Sequence, residues 1–455
     1  QFVLLYTVTE FHSDKLLVDN NVMGLIPRTR IVVPEYLLHF MHTIDLYDYS
    51  RATTVPSLRK TDVAQIEVPL APLPEQRRIV EAIESQLTRL DAAVAALERV
   101  QANLVRYRAS VLQAACEGRL VPTEAELARR AVGAQHAAPL PYEPADVLLK
   151  RILAERRARW EEERWAYEIE RAKKKAAQAE RKAAGLPYYI RDLEPEHWQH
   201  RTPEEYEPYL PKSDKWKQKY DEPEPPDTED LPELPEGWVW TNMATITVEG
   251  PQNGLYLPQD LYGTGIPILR IDDYQDGWSR SSDELRRVEA DEDDIQKYAL
   301  EVGDLVINRV NSPNHLGKCL VVSERNIPSV FESNMMRLRI SDIVLPEYVE
   351  IYLQSSFGRQ ALIANAKWAV NQASINQGDV SQTAVALPPL AEQRRIVAEV
   401  ERRLSVVRAM EAAVEANLVR ARRLRQSILK RAFEGRLVPQ NPEDEPASVL
   451  LERIT

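Results

Sequence analysis

Two short stretches of this chain concentrate side chains that end in paired hydrogen-bonding groups. The first holds Asn308, Arg309, Asn311, Ser312 and Asn314 beside a proline; the second holds Lys367, Asn371, Gln372, Ser374, Asn376 and Gln377. An amide offers a donor and an acceptor side by side, and a guanidinium offers a fork of donors, so such clusters suit recognition of a flat polar edge. The competing reading is local, because Asn and Ser at turns usually satisfy nearby backbone groups and Asn376 is placed to cap a short helix. Covalent chemistry finds no foothold. The chain has no G-x-x-x-x-G-K-[ST] phosphate loop and no G-x-G-x-x-G cofactor turn, and its seven histidines never fall in H-E-x-x-H spacing. The acidic run Asp291, Glu292, Asp293 and Asp294 lacks the interleaved glycine of a calcium loop. Cys116 and Cys319 are the two thiols, too few for a disulfide framework or a cysteine zinc site. The expectation is a protein without catalytic residues, metal or cofactor.

The frame that must position these clusters is duplicated. Leu70 to Pro122 aligns without a gap on Leu387 to Pro439, about half the positions being identical, with Glu75 to Val80 repeated as Glu392 to Val397 and Glu117 to Pro122 as Glu434 to Pro439. The likeness continues outward. Asp62 and Val63 match Asp379 and Val380, Ser57 matches Ser374, Pro34 to Tyr36 matches Pro346 to Tyr348, and Glu143 to Leu149 matches Glu445 to Leu451 with Ser448 in place of Asp146. Each repeat reads as a long helix, Pro74 to Glu117 and Ala391 to Glu434. Pro74 suits a first helical position, Glu75 complements the dipole, and Gly118 and Gly435 stand where a left-handed cap belongs. Apolar residues recur at four-three spacing: Ile83, Leu87, Leu90, Val94, Leu97, Leu104 and Val111 in one copy, and Val400, Leu404, Val407, Val414, Leu418 and Ile428 in the other. That is a heptad seam, interrupted by Gln101, Arg108, Glu411 and Arg425. Two copies do not make a solenoid; pairing within one chain is expected over a homodimeric coil. Roughly 40 helical residues span about 60 Å.

The expected fold is α+β: globular domains with a twisted sheet, plus two long antiparallel coiled-coil helices in a pseudo-twofold repeat. Strand-like runs fall at Ile266 to Arg270, Leu305 to Val310, Cys319 to Val322 and Met335 to Ile340, where Met336, Leu338 and Ile340 alternate with Arg337 and Arg339 as in a half-buried strand. Pro346 opens a helix with Tyr348, Val349, Tyr352 and Leu353 on one face. The domain reading is 1–70, the C-terminal part of a first globular domain; 71–122, the first long helix; 123–230, a charged helical extension and acidic linker; 231–387, a second globular domain; and 388–455, the second long helix with its tail. If the two units were once alike, roughly 90 or more residues precede Gln1 in the parent chain.

The net charge of −12 argues against a stand-alone binder of polyanions. Much of the acid lies between Tyr188 and Glu236, whose run Asp221 to Asp227 reads by composition as a disordered spacer. Ala145 to Ala184 reads as a helix of i,i+4 opposite charges with little apolar face, stable mainly when docked on a partner, or else a solvated spacer. No run approaches a membrane span, and the thiol content fits a reducing cytoplasm.

In combination, the repeated P-L-x-E-Q-R-R-I-V and E-G-R-L-V-P segments, the Leu234 to Trp238 opening, the Gly303 to Val310 strand and the Ser374 to Gln377 segment resemble the specificity subunit of type I restriction-modification systems. The resemblance implies two target-recognition domains, each reading one half of a split double-stranded DNA sequence, separated by two antiparallel helices. It implies as partners two adenine-N6 DNA methyltransferase subunits and, in the full complex, two ATP-dependent restriction subunits, with the charged helix 145–184 docking on a methyltransferase. The shortened first domain departs from the pattern. Under this reading the two polar clusters become candidate base readers, since Asn and Arg pair bidentately with adenine and guanine edges, while Trp368 is expected to pack. Spacer length then becomes a property of the helices. The alternatives are a non-catalytic coiled-coil scaffold, which leaves the duplicated globular units unexplained, and a fragment of a single-chain restriction-methylation enzyme, whose methyltransferase motifs are missing here.

Overall fold

The computed structural model describes residues 23–49, 58–133, 142–275, 278–312, 315–369 and 372–452. In chain order the elements begin with helices α1 (Pro34–Met41), α2 (Lys60–Val63), α3 (Leu73–Cys116), α4 (Glu124–Gly133), α5 (Ala145–Ala183) and α6 (Pro203–Tyr206). Strands then alternate with short helices: β1 (Val239–Asn242), α7 (Met243–Ile246), β2 (Thr247–Asn253), β3 (Tyr262–Leu269), β4 (Tyr274–Gln275), β5 (Trp278–Ser279), β6 (Arg286–Val288) and α8 (Glu292–Tyr298). There follow β7 (Leu305–Asn308), β8 (Val310–Asn311), β9 (Cys319–Val321), β10 (Val330–Phe331), β11 (Met335–Ile340), α9 (Pro346–Gln354), α10 (Ser356–Ile363), β12 (Lys367–Ala369), β13 (Gln372–Ser374), α11 (Gln377–Gln382) and β14 (Ala384–Leu387), before α12 (Leu390–Phe433) and α13 (Ala447–Glu452). Among the described residues no helix is long and apolar enough to cross a membrane. The chain is α+β.

Two compact units divide it, 1–106 with 406–455, and 107–405, so the boundary falls inside both long helices. Both helices run 44 residues, each beginning and ending one residue before the expected span. Gly118 and Gly435 adopt φ of 66° and 69°, and the next amide reaches back five residues, Arg119 to Ala114 and Arg436 to Arg431. A residue with a Cβ is strained there, which is why the helix stops.

In the first unit the opening of α3 packs on the end of α12. Ile79, Val80, Ile83 and Leu87 share a core with Ile428, Leu429 and Ala432, so the two segments run antiparallel. Helix α1 closes this core: Tyr36 meets Phe433 edge-on at 5.1 Å, and its hydroxyl donates to Pro69 O at 2.8 Å. Gln76, fully buried, accepts from Val33 N at 2.8 Å and donates to Ala71 O and Ile31 O at 2.8 and 2.9 Å.

The second unit repeats the arrangement with the helices exchanged. The end of α3, through Val111, Leu112, Ala115 and Cys116, shares a core with Ile396, Val400 and Leu404 at the opening of α12. Tyr348 donates to Ala386 O at 2.6 Å; Gln393 accepts from Leu345 N and donates to Pro388 O, each at 2.9 Å. These bonds match, residue for residue, those that Tyr36 and Gln76 make to Pro69, Val33 and Ala71. The repeat is thus structural as well as sequential.

This second unit also contains the fuller globular domain. Its main sheet has the order β2-β11-β7-β9, all pairings antiparallel, and smaller sheets pair β1 with β14 and set β3 between β10 and β6. The four expected strands exist, with one correction. Arg337 does not face solvent: it is 4% exposed, donating to Ala299 O at 2.7 Å and pairing with Glu249 at 2.7 Å. A buried guanidinium is tolerable when its donors are met in this way.

The extension after α3 also departs from expectation. Helix α5 docks on its own chain, placing Leu148 and Ile152 in the second unit's core and burying Ala172, Ala176 and Ala177 further along. The linker after it folds back as a cover. Trp216 stacks on Trp160 and Trp165 with centroids 6.2 and 5.5 Å apart, Lys174 sits 4.5 Å over the Trp198 ring, and Lys217 pairs with Glu161 at 3.0 Å. Even Glu224, inside the acidic proline-rich run, accepts from Asn242 Nδ2 at 2.7 Å through its backbone carbonyl. Composition suggests a free spacer; interleaved aromatics give this segment apolar area to bury.

Candidate nucleic-acid interface

The two polar clusters lie about 60 residues apart in sequence and meet in one small sheet. Its order is β12-β13-β8, with Lys367 opposite Ser374, Trp368 opposite Ala373, and Ala373 in turn opposite Asn311. Ile375 N donates to Arg309 O at 2.9 Å, extending the seam by one step. The hairpin β12–β13 is thereby held along the strand that carries the first cluster.

Within this arrangement the candidates separate by exposure. Lys367 and Gln372 are exposed, and Arg309, Asn311, Ser312 and Ser374 are half-buried. Arg309 is held at one end, its Nη1 donating to Ser333 O at 3.0 Å, while its buried Nε has no partner among the described residues. Asn311 Oδ1 accepts from Ser312 N at 2.7 Å, a local turn bond. Gln377 is exposed and donates to Pro251 O at 2.7 Å, which brings the Pro251–Tyr256 segment beside α11. Tyr256 is 79% exposed there, an element that the sequence clusters did not include. Asn314 and Asn371 lie outside the described residues.

Three expectations change. Asn308 is fully buried, accepts the Tyr274 hydroxyl at Oδ1, and leaves Nδ2 without a partner among the described residues, so it supports the turn rather than reading an edge. Asn376 spends its side-chain oxygen on Gly378 N and Asp379 N at 2.7 and 3.1 Å, capping α11 as the local reading anticipates. Trp368 does not pack: it is 57% exposed on β12. By the register, Lys367 and Gln372 share one face of the β12–β13 pair, so an exposed ammonium and an exposed amide stand on the same side, while the exposed indole of Trp368 belongs to the other face, with Ala373.

The domain opening is tied to the second long helix by a buried carboxylate. Glu392 accepts from Trp238 Nε1 and from Glu124 N, each at 3.0 Å, and Arg395 pairs with Glu124 and donates to Pro122 O at 3.0 Å. Desolvation raises the Glu392 pKa, opposed by these bonds. In the first unit the matching arginine, Arg78, pairs with Asp444 at 2.7 Å. Among the described residues no group of His, Cys, Asp and Glu is arranged to hold a metal ion.

Residues 6–101 match the family model of the type I restriction modification DNA specificity domain. The chain is 33% identical over 223 residues to the type I restriction enzyme EcoKI specificity subunit of Escherichia coli strain K12, covering 47% of this chain and 48% of that subunit. It is 32% identical over 228 residues to the StySPI specificity subunit of Salmonella potsdam, 48% of this chain and 49% of that one. A solved chain of a type I R-M system superposes with a TM-score of 0.48 at 19% identity, over 89% of this chain and 72% of that one. The chain spans about half the length of the curated relatives it matches.

Proposed function

We propose that this chain, which is related to the specificity subunits of type I restriction-modification systems, reads DNA sequence and performs no reaction of its own. The observation that carries the reading is the meeting of two sequence-distant polar clusters on the β12-β13-β8 sheet, where Lys367 and Gln372 are exposed on one face. Base edges in the major groove present paired donors and acceptors that amides and guanidinium groups match, and a two-stranded ribbon fits that groove.

In this reading each recognition domain takes one half of a bipartite double-stranded target, and the two long helices set the spacer between halves. Two adenine-N6 methyltransferase subunits are recruited by the helices and supply catalysis, and two ATP-dependent restriction subunits complete the assembly in the cytoplasm. The antiparallel packing of α3 against α12 within each unit supports the helical role. An acidic chain is compatible with this division, because phosphate contacts from partners can add affinity beyond what this chain supplies, while base contacts here supply choice.

The test is methylation of a randomised duplex pool by this chain assembled with an adenine methyltransferase partner, followed by sequencing of the modified molecules. A recurrent two-part motif that disappears when this chain is omitted is the expected result. Methylation without sequence preference, or turnover by the chain alone with S-adenosylmethionine, defeats the proposal.

A further inference from the structure

The recognition domain of the second unit carries a cationic groove that its acidic composition hides. A space of about 770 Å³ opens beside β3 and β6, lined by Gln259, Tyr262, Gly263, Arg270, Arg286 and Arg287 among others. It is shaped by an irregularity in β3: Tyr262 and Ile266 both stand opposite Val288, so Gly263, Thr264 and Gly265 bulge from the ladder. Bulges re-aim neighbouring side chains. Gly263 takes φ of 143° with open space around it, so another backbone can approach closely there.

The charges in this groove are unequally neutralised. Arg270 pairs with Glu332 at 3.2 Å, lies 5.9 Å over the Tyr262 ring and has Asp272 nearby. Arg287 donates to the Gly265 carbonyl at 3.0 Å, which orients its guanidinium over the bulge without cancelling its charge. The backbone of Arg286 pairs with Ile268, while its side chain is exposed near Tyr262 and makes no hydrogen bond or ion pair among the described residues. The nearby Glu289 accepts from the Thr264 hydroxyl at 2.6 Å, which orients the carboxylate and leaves its charge in place. A chain of contacts links the groove to the small sheet: Glu332, which holds Arg270 and accepts from Ile271 N, is followed by Ser333, whose carbonyl holds Arg309.

We propose that this groove binds the phosphodiester backbone of the duplex whose bases the β12-β13-β8 sheet reads, with Arg286 and Arg287 making the phosphate contacts and Arg270 set by Glu332 to join them. It rests on the DNA reading above and adds the site that fixes register. Phosphate contacts position a protein on DNA without carrying sequence information, and each one adds about 0.9 to the slope of log affinity against log salt concentration.

The test uses the full chain and a labelled duplex of random sequence, titrated by fluorescence anisotropy from low salt upward. The double variant Arg286→Ala and Arg287→Ala is expected to weaken random-duplex binding and to lower the salt slope by roughly 1 to 2, with an unchanged melting temperature because both side chains are exposed. Arg286→Lys with Arg287→Lys should keep most of the slope. An unchanged slope in the alanine double variant overturns the inference, as does a parent chain that does not hold the random duplex even at low salt. Gln372→Ala separates the two ideas. If it spares sequence selectivity while the arginine variant loses slope, base reading by the sheet fails and the phosphate groove stands; if selectivity is lost at Gln372 with no slope change at the arginines, the groove fails and base reading stands.

Discussion

Gln372 is exposed while Ala373 beside it is buried, the alternation of a half-buried strand, and this makes it the cleanest candidate for an edge reader. Its replacement by Ala should weaken binding of a selected half-site by roughly 1 to 3 kcal/mol with little effect on unrelated duplex, measured by competition binding. Asn308→Ala should behave differently. Removing a buried amide takes the nearer acceptor from the Tyr274 hydroxyl, leaving it only Lys318 O at 3.3 Å, so the expected outcome is a loss of stability of about 1 to 3 kcal/mol, read as a lower melting temperature without DNA. Trp368→Ala should leave the melting temperature within error, since the ring is already exposed, and any effect should appear in DNA binding alone. The residue types of these clusters are visible in the chain. Which of them are free is not, because that depends on Tyr274, Ser333 and Pro251, partners fixed by pairing across distant strands.

At the scale of elements, the glutamines Gln76 and Gln393 join each short helix to a long one by the same pair of bonds, so Gln393→Glu is informative. A carboxylate keeps the acceptor for Leu345 N but loses the donor to Pro388 O, and it would be buried; a loss of about 2 kcal/mol or more in chemical denaturation is expected, with Gln393→Ala losing both. Helix α9 supplies a pH test. Burial pushes the Glu350 carboxyl up to about 7, against the bond it accepts from Gln354 at 2.8 Å. A carboxyl raised in the folded state binds protons that the unfolded chain has released, so its contribution to stability falls as pH rises from about 4.3 to 7. Glu350→Gln should therefore raise stability at pH 8, by roughly 1 to 3 kcal/mol, and give no gain near pH 4. The long helices are legible in the chain because a four-three pattern repeated over six turns or more has few other solutions, and the glycine caps fall where their φ values require. The cover on α5 is not, because charge counting hides Trp198, Trp216 and Tyr220, each of which finds its partner only when the chain doubles back. Arg337 escapes the pattern for a related reason: alternation on β11 says which face it shares with Arg339, and Glu249 and Ala299, remote in sequence, decide that this face is covered.

At the scale of the molecule, the chain passes between its two units twice, once within α3 and once within α12, and each unit takes the opening of one helix and the end of the other. Within this exchange the two helices are of equal length, 44 residues in each. The proposed spacer role follows from this equivalence and can be tested against it. Removing one heptad from each helix at matched positions between Leu90 and Leu104, and between Val407 and Ala421, keeps the seam in phase and leaves both packed ends intact. Each deletion shortens its helix by about 10 Å, the length of about three base pairs at roughly 3.4 Å apiece. Assembled with a methyltransferase partner and assayed on randomised duplex, the shortened chain should select a shorter spacer with the same half-site sequences. Deleting the heptad from one helix alone breaks the exchange of partners between the units, and should cost stability before it changes any spacing. A spacer unchanged in the matched double deletion, with both units still folded, would show that the helices do not determine the distance between half-sites.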